Sequence, residues 1–180
     1  TNDSELKIVA GYANKGDEGK QFMRWVFGGR AETVLVREYG AVKDLKGGFN
    51  FSAVEDAHNS IGNKAGVRDA SNRVGSVNGQ TIVWQNTEIQ MEAAKAWIDE
   101  DTSPNTTVDR TTGSALRMSS NTKFDKSSKL KLGYEWISAD FNTLSGSAIP
   151  DRVNFTSRLD KKWNDEWKSE MGYRLYYDKL

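Results

Sequence analysis

From Arg152 to Tyr177 the sequence repeats with a period of two, broken once. Val153, Phe155, Ser157, Leu159, Lys161 and Trp163 hold one parity, and Arg152, Asn154, Thr156, Arg158, Asp160 and Lys162 the other. After Asn164-Asp165-Glu166 the pattern resumes, with Trp167, Ser169, Met171, Tyr173, Leu175 and Tyr177 against Glu166, Lys168, Glu170, Gly172 and Arg174. Successive side chains of a strand point to opposite faces, so this period suits a strand and not a helix, whose faces recur every 3.6 residues. Two such runs around a short Asn-Asp turn predict an antiparallel hairpin that brings Trp163 beside Trp167.

The same period recurs upstream. Leu6, Ile8, Ala10 and Tyr12 form a stripe, as do Met23, Trp25 and Phe27, then Leu116, Met118, Ser120, Thr122 and Phe124, then Leu130, Leu132, Tyr134 and Trp136. Residues 33–39 and 49–54 are further strand candidates, punctuated by Gly28-Gly29 and Gly47-Gly48. Residues 87–97 alternate through Ile89, Met91, Ala93, Lys95 and Trp97, although their Glu, Met, Ala and Lys content favours helix. Here the reading is strand, continuing from Ile82-Val83-Trp84. Residues 59–80 and 99–113, rich in Gly, Ser, Asn, Thr and Asp, read as long loops. The expectation is one all-β domain over 1–180 with roughly eight to ten strands.

Composition removes several classes of function. Lys+Arg and Asp+Glu both number 25, so there is no basic surplus to bind nucleic acid. With no cysteine, disulfides and thiolate metal sites are out, and one histidine, His58, cannot build a multi-histidine site. No run approaches the ~20 apolar residues of a membrane-spanning helix. That leaves strand-built spans untouched, because their signal is alternation.

Alternation fits a soluble sandwich and a membrane barrel alike, since each strand then has one apolar and one polar face. Three features favour the barrel. Trp163 and Trp167 flank the turn while Tyr173, Tyr176 and Tyr177 sit at the far end. The span from Trp167 to Tyr177 covers about 33 Å of strand, or about 25 Å along a barrel axis at ~40° tilt, the height of an apolar band between aromatic girdles. Arg152, Arg158, Asp160, Lys162, Lys168, Glu170 and Arg174 all share the opposite parity. Finally, one short turn contrasts with long excursions, as in barrels with short turns on one side of the membrane and long loops on the other.

RVNFTSRLDKKWNDEWKSEMGYRLYY (152–177) resembles the strand–turn–strand units of bacterial outer-membrane porins, in which an Arg-rich strand ends in Lys-Trp, an Asn-Asp turn follows and Trp begins the return. LKIVAGYAN (6–14), YGAVKDLKGGFNFSAVEDAHN (39–59) and KLKLGYEWISADFN (129–142) are similar to porin hairpins. In style the chain is similar to the porins of diderm Firmicutes that are linked to S-layer-homology domains. The resemblance implies an all-β, antiparallel up-and-down β-barrel in a bacterial outer membrane. General diffusion porins have ~16 strands, so the chain is either a whole small barrel or part of a larger one. It implies passive diffusion of small hydrophilic solutes past lumen charges, with Arg152, Arg158, Asp160, Lys162, Lys168, Glu170 and Arg174 lining the pore. Partners would be outer-membrane lipid and the solutes, with a homo-oligomer left open; no nucleic acid, cofactor, metal or reaction is implied.

Other chemistry is weighed against plainer readings. His58 near Glu55, Asp56 and Ser60 could serve a hydrolase, but there is no Gly-x-Ser-x-Gly elbow, and an exposed loop histidine is the better reading. Asp99-Glu100-Asp101 with Asp109 could hold calcium, but lacks a spaced ligand pattern and reads as a solvated acidic loop. The glycine pairs fit turns or close strand packing and not a phosphate loop, because no Gly-Lys-Ser/Thr follows. Trp25, Trp84, Trp97 and Trp136 keep a different class open, a soluble β-sandwich that binds carbohydrate on aromatic platforms. A barrel that is purely structural and transports nothing is the third class.

Overall fold

A computed structural model describes residues 4–17, 20–56, 70–99, 102, 110–143 and 149–178. They form one nine-stranded sheet in sequence order, with every neighbouring pair antiparallel. The strands are β1 (Ser4–Asp17), β2 (Lys20–Tyr39), β3 (Val42–Asp56), β4 (Ser71–Val83), β5 (Thr87–Asp99), β6 (Arg110–Lys123), β7 (Ser128–Ile137), β8 (Arg152–Lys162) and β9 (Lys168–Asp178). The architecture is therefore all-β and up-and-down, as the alternation predicts. Closure is not: β1 and β9 are the two edges and do not pair. Strands alternate in direction, so the first and the ninth run parallel, and an antiparallel seam between them is impossible. Of the two expected forms, this open sheet agrees with part of a larger barrel.

The C-terminal hairpin forms in the expected register, with Phe155 opposite Leu175 and Leu159 opposite Met171. Asn164 Oδ1 accepts from the backbone N–H groups of Glu166 (3.0 Å) and Trp167 (2.7 Å), and Trp163 N–H donates to the Trp167 carbonyl at 3.0 Å. That side-chain mimic of a turn is why Asn-Asp sits there.

Four corrections apply upstream. Gly28-Gly29 and Gly47-Gly48 do not punctuate strands as turns but lie inside β2 and β3, as the close-packing reading has it. The β2–β3 turn instead falls at Gly40-Ala41, where Gly40 takes φ 58°. The loops expected at 59–80 and 99–113 are shorter, because Ser71–Gln80 belongs to β4 and Arg110–Gly113 to β6. Residues 87–97 are strand as read, but they do not continue from Ile82-Val83-Trp84: a turn at 84–86 separates β4 from β5.

The connections sort by end. Gly40-Ala41, 84–86, 124–127 and 163–167 join strands at one end; at the other end stand the strand termini Asp17 and Lys20, Asp56 and Ser71, Asp99 and Arg110, and Ile137 and Arg152, between which the chain runs through 18–19 and three longer connections. The first is called the short-turn end below.

Burial is inverted relative to a water-soluble sheet. Following the register across all nine strands, Leu6, Phe27, Phe49, Val77, Met91, Met118, Tyr134, Phe155 and Leu175 fall on one face. Eight of these nine are exposed to at least 37 %, and no second sheet covers them among the described residues. The opposite face carries the charges, yet it holds most of the buried residues, including Asp56, Asn72 and Ser76 beside Val54, Ala96 and Ile137.

Candidate functional site

The apolar face is framed by aromatics at both ends. At the short-turn end stand Tyr39, the last residue of β2, Trp84 (72 % exposed), Phe124, and the pair Trp163 and Trp167. Trp84 takes φ 50° and Gln85 φ 63°, a left-handed backbone that a bulky residue rarely adopts. At the long-loop end stand Tyr12 and Trp25, whose rings meet edge-on at 5.1 Å, and then Trp97, Trp136 and Tyr177. The four tryptophans considered as a sugar platform are thus split between the two ends and separated by intervening strands.

The polar face is the candidate site, and all seven sequence-predicted residues lie on it. Five of them, Arg158, Asp160, Lys162, Lys168 and Glu170, converge on one cleft of ≈ 950 Å³ at the short-turn end. There Arg158 donates from Nε to Asp160 (2.8 Å) and from a terminal nitrogen to Glu170 (2.6 Å), holding together two acids that oppose each other across β8 and β9. Lys162 reaches Asp165 at 2.5 Å. The other two sit apart, toward the long-loop end. Arg152 pairs with Glu135 at 3.5 Å, Arg174 donates to Asn154 Oδ1 at 2.9 Å, and both guanidiniums lie over the Tyr176 ring, at 5.1 and 5.4 Å.

The face continues over strands from which the sequence reading took no site residues. At mid-height Arg30, Glu32, Asn50, Asn78, Glu92 and Arg117 line a pocket of ≈ 350 Å³. Asn50 donates to Ser76 Oγ and Asn78 Oδ1, and the Ser76 hydroxyl donates to Glu92 at 2.8 Å. Farther up, Arg24 makes a two-point contact with buried Asp56, whose carboxylate also accepts from the Ala70 N–H. Applying the β8–β9 parity rule to β2–β6 is the signal that would have found these residues.

One connection bends onto this face. The Ser138 N–H donates to the Ser114 carbonyl, and Phe141 packs with Ala96 and Ile137 against Val74, Ala94 and Ala115. Buried Asn72 donates from Nδ2 to the carbonyls of Trp97 (3.3 Å) and Asn142 (3.2 Å). Gly113 is required for this approach, because a Cβ there would overlap the backbone of Asp140 and Phe141. At the opposite end, in the β6–β7 turn, Asp125 accepts from Ser127 through the backbone N–H (2.6 Å) and the hydroxyl (2.7 Å), and from the Ser128 hydroxyl (3.0 Å). These donors hold its carboxyl well below the ordinary carboxylate value.

His58 and three of the four acids considered for calcium, Glu100, Asp101 and Asp109, lie outside the described residues. The fourth, Asp99, is paired with Arg110 at 3.1 Å. Among the described residues no group of three or more His, Cys, Asp or Glu is placed to hold a metal. No protein-family model, curated protein or solved structure matches this chain.

Proposed function

We propose that the chain is a sector of a transmembrane β-barrel in a bacterial outer membrane, with its polar face lining a water-filled channel for passive diffusion of small hydrophilic solutes. One observation carries the reading: an exposed apolar face framed at both ends by aromatics, backed by an opposite face that holds the ion pairs. A soluble protein with that face toward water would expose an apolar patch far beyond the few hundred Å² usual for monomers. In lipid the face is at no cost, and the polar face needs water behind it.

Mixed charge along the wall suits a channel that passes hydrated solutes with weak selectivity. Phe141 and Asn142 on the polar face would narrow it near the long-loop end. The test is reconstitution of the full-length protein into planar bilayers after extraction from outer membranes. Stepwise ohmic conductance supports the reading. Insertion without conductance leaves a structural envelope barrel, and recovery as a monomer without detergent removes the membrane altogether.

A further inference from the structure

At the short-turn end of the polar face, like charges oppose each other across three successive strand pairs. Lys123 faces Lys129, Lys131 faces Arg158, and Lys162 faces Lys168. Directly opposed like charges destabilise a sheet. Elsewhere on this face several cations are matched by acids, Arg24 by Asp56, Arg30 by Glu32 and Arg152 by Glu135. In the cleft Arg158 and Lys162 have carboxylates, but Lys123, Lys129 and Lys168 have none within ion-pair distance among the described residues. All three line the same ≈ 950 Å³ space, in a chain whose net charge is zero.

We propose that this cleft binds a phosphate-class oxyanion carrying two or more negative charges. Three ammonium groups around one opening present point charges with rotatable donors, which suit an anion with several equivalent oxygens. A monoanion would satisfy one of them and leave the other repulsions standing. Asp160 and Glu170 share Arg158, and Asp160 also has Lys131 at 3.9 Å and Lys129 opposite it in register, so this wall keeps at most part of its negative charge and turns the anion toward the lysines. Ser127 and Ser128 add hydroxyls at the rim, held in place by Asp125 and Lys161. The anion has two sources, a soluble phosphorylated solute or the phosphate of a lipid headgroup, since Trp163 and Trp167 put this end at the proposed membrane interface. The inference rests on the channel reading for the anion's source, whereas binding itself is measured without conduction.

The test is calorimetric titration of inorganic pyrophosphate into the full-length protein in a non-ionic maltoside detergent at low salt. Saturable binding is expected. It should weaken about tenfold or more in Lys129→Gln and in Lys168→Gln, survive Lys→Arg at both positions, and fall as salt rises. Lys7→Gln, remote from the cleft, controls for net charge and should change nothing. In a parallel arm, nanodiscs of phosphatidylcholine with phosphatidylglycerol are analysed by native mass spectrometry. Retained phosphatidylglycerol that is lost in the same Gln variants, with no pyrophosphate binding, makes the ligand a lipid phosphate. Binding indifferent to Lys129 and Lys168, or absent in both arms, overturns the site. A protein that conducts but binds neither anion keeps the channel and loses the site; one that binds but does not conduct does the reverse.

Discussion

Placing an arginine on the apolar face measures depth in a way no soluble fold reproduces. β8 runs from the level of Trp163 to Val153, which stands opposite Trp136 and Tyr177. At about 3.3 Å per residue and ~40° tilt, that is about 25 Å along the axis, with Leu159 about 10 Å and Phe155 about 20 Å above Trp163. Leu159, flanked by Leu130 and Met171, is therefore near the middle of the band, whereas Phe155, flanked by Tyr134 and Leu175, is nearer the upper girdle. Leu159→Arg should cost about 2–4 kcal/mol, and Phe155→Arg noticeably less, toward the ~0–1 kcal/mol of interfacial positions. Reversible urea unfolding in lipid vesicles, followed by tryptophan fluorescence, reads both values. Nitroxide labels at the same two positions supply the independent check, because oxygen should relax them strongly and an aqueous nickel chelate should not. Equal costs at 155 and 159 would refute the depth argument. Access of the chelate to both labels would put this face in water, and protection from both reagents would put it inside protein.

Arg158→Glu with Arg174→Glu should shift the reversal potential in a salt gradient toward cations, because both guanidiniums stand on the proposed lumen wall; an unchanged potential would take them off the solute path. Asp125→Asn should destabilise the protein by an amount that is constant at neutral pH. With the native carboxyl held below its ordinary value of 3.8, that stability is fully present above the ordinary value and is lost as pH falls through the lower native one. The gap between wild type and variant, read as the urea midpoint, should therefore close only in acid, and closing above about pH 5 would contradict the hydrogen-bond assignment. Trp84→Gly removes a left-handed φ from a bulky residue and should gain about 1–2 kcal/mol of backbone relief in detergent. In bilayers it should be a net loss, since the exposed indole anchors the interface. A gain in both media would show that the indole contacts no lipid.

What the sequence made legible was whatever parity alone decides. β8, β9, β7 and β6 carry apolar residues on one parity and charges on the other, so their faces and the Asn-Asp turn could be read directly. β4 was hidden because neither parity is strongly apolar: Arg73, Gly75, Val77 and Gly79 point one way and Asn72, Val74, Ser76 and Asn78 the other. Strand propensity expresses packing on a half-buried sheet, and a strand with wet polar neighbours on one side can be built from Asn, Ser and Gly. The glycine pairs misled for the same reason, since Gly29 lies in register between Ile8 and Phe51 and not in a turn. The inward connection at 138–143 has no local signature. Its trace is indirect, the small residues Ala94, Ala96, Gly113 and Ala115 gathered on one patch of the charged face.

The open edges follow from a count. With nine strands, β1 and β9 run parallel, each with one row of unpaired backbone groups. In lipid each such group costs several kcal/mol, so a membrane-embedded sheet must find partners for both rows. A second copy inserted in the same direction would set its β1 parallel to this β9, so a ring of identical sheets would carry parallel seams. Antiparallel closure takes an odd number of strands between β9 and β1, contributed by the same polypeptide or by a partner. The edge amides test this. In the full-length protein in bilayers, β1 and β9 should exchange hydrogen as slowly as interior β5, because both sides of each strand are paired. Fast exchange confined to alternate residues of β1 and β9 would mean that the edges stay free, and a sheet with two free edges cannot sit in a membrane.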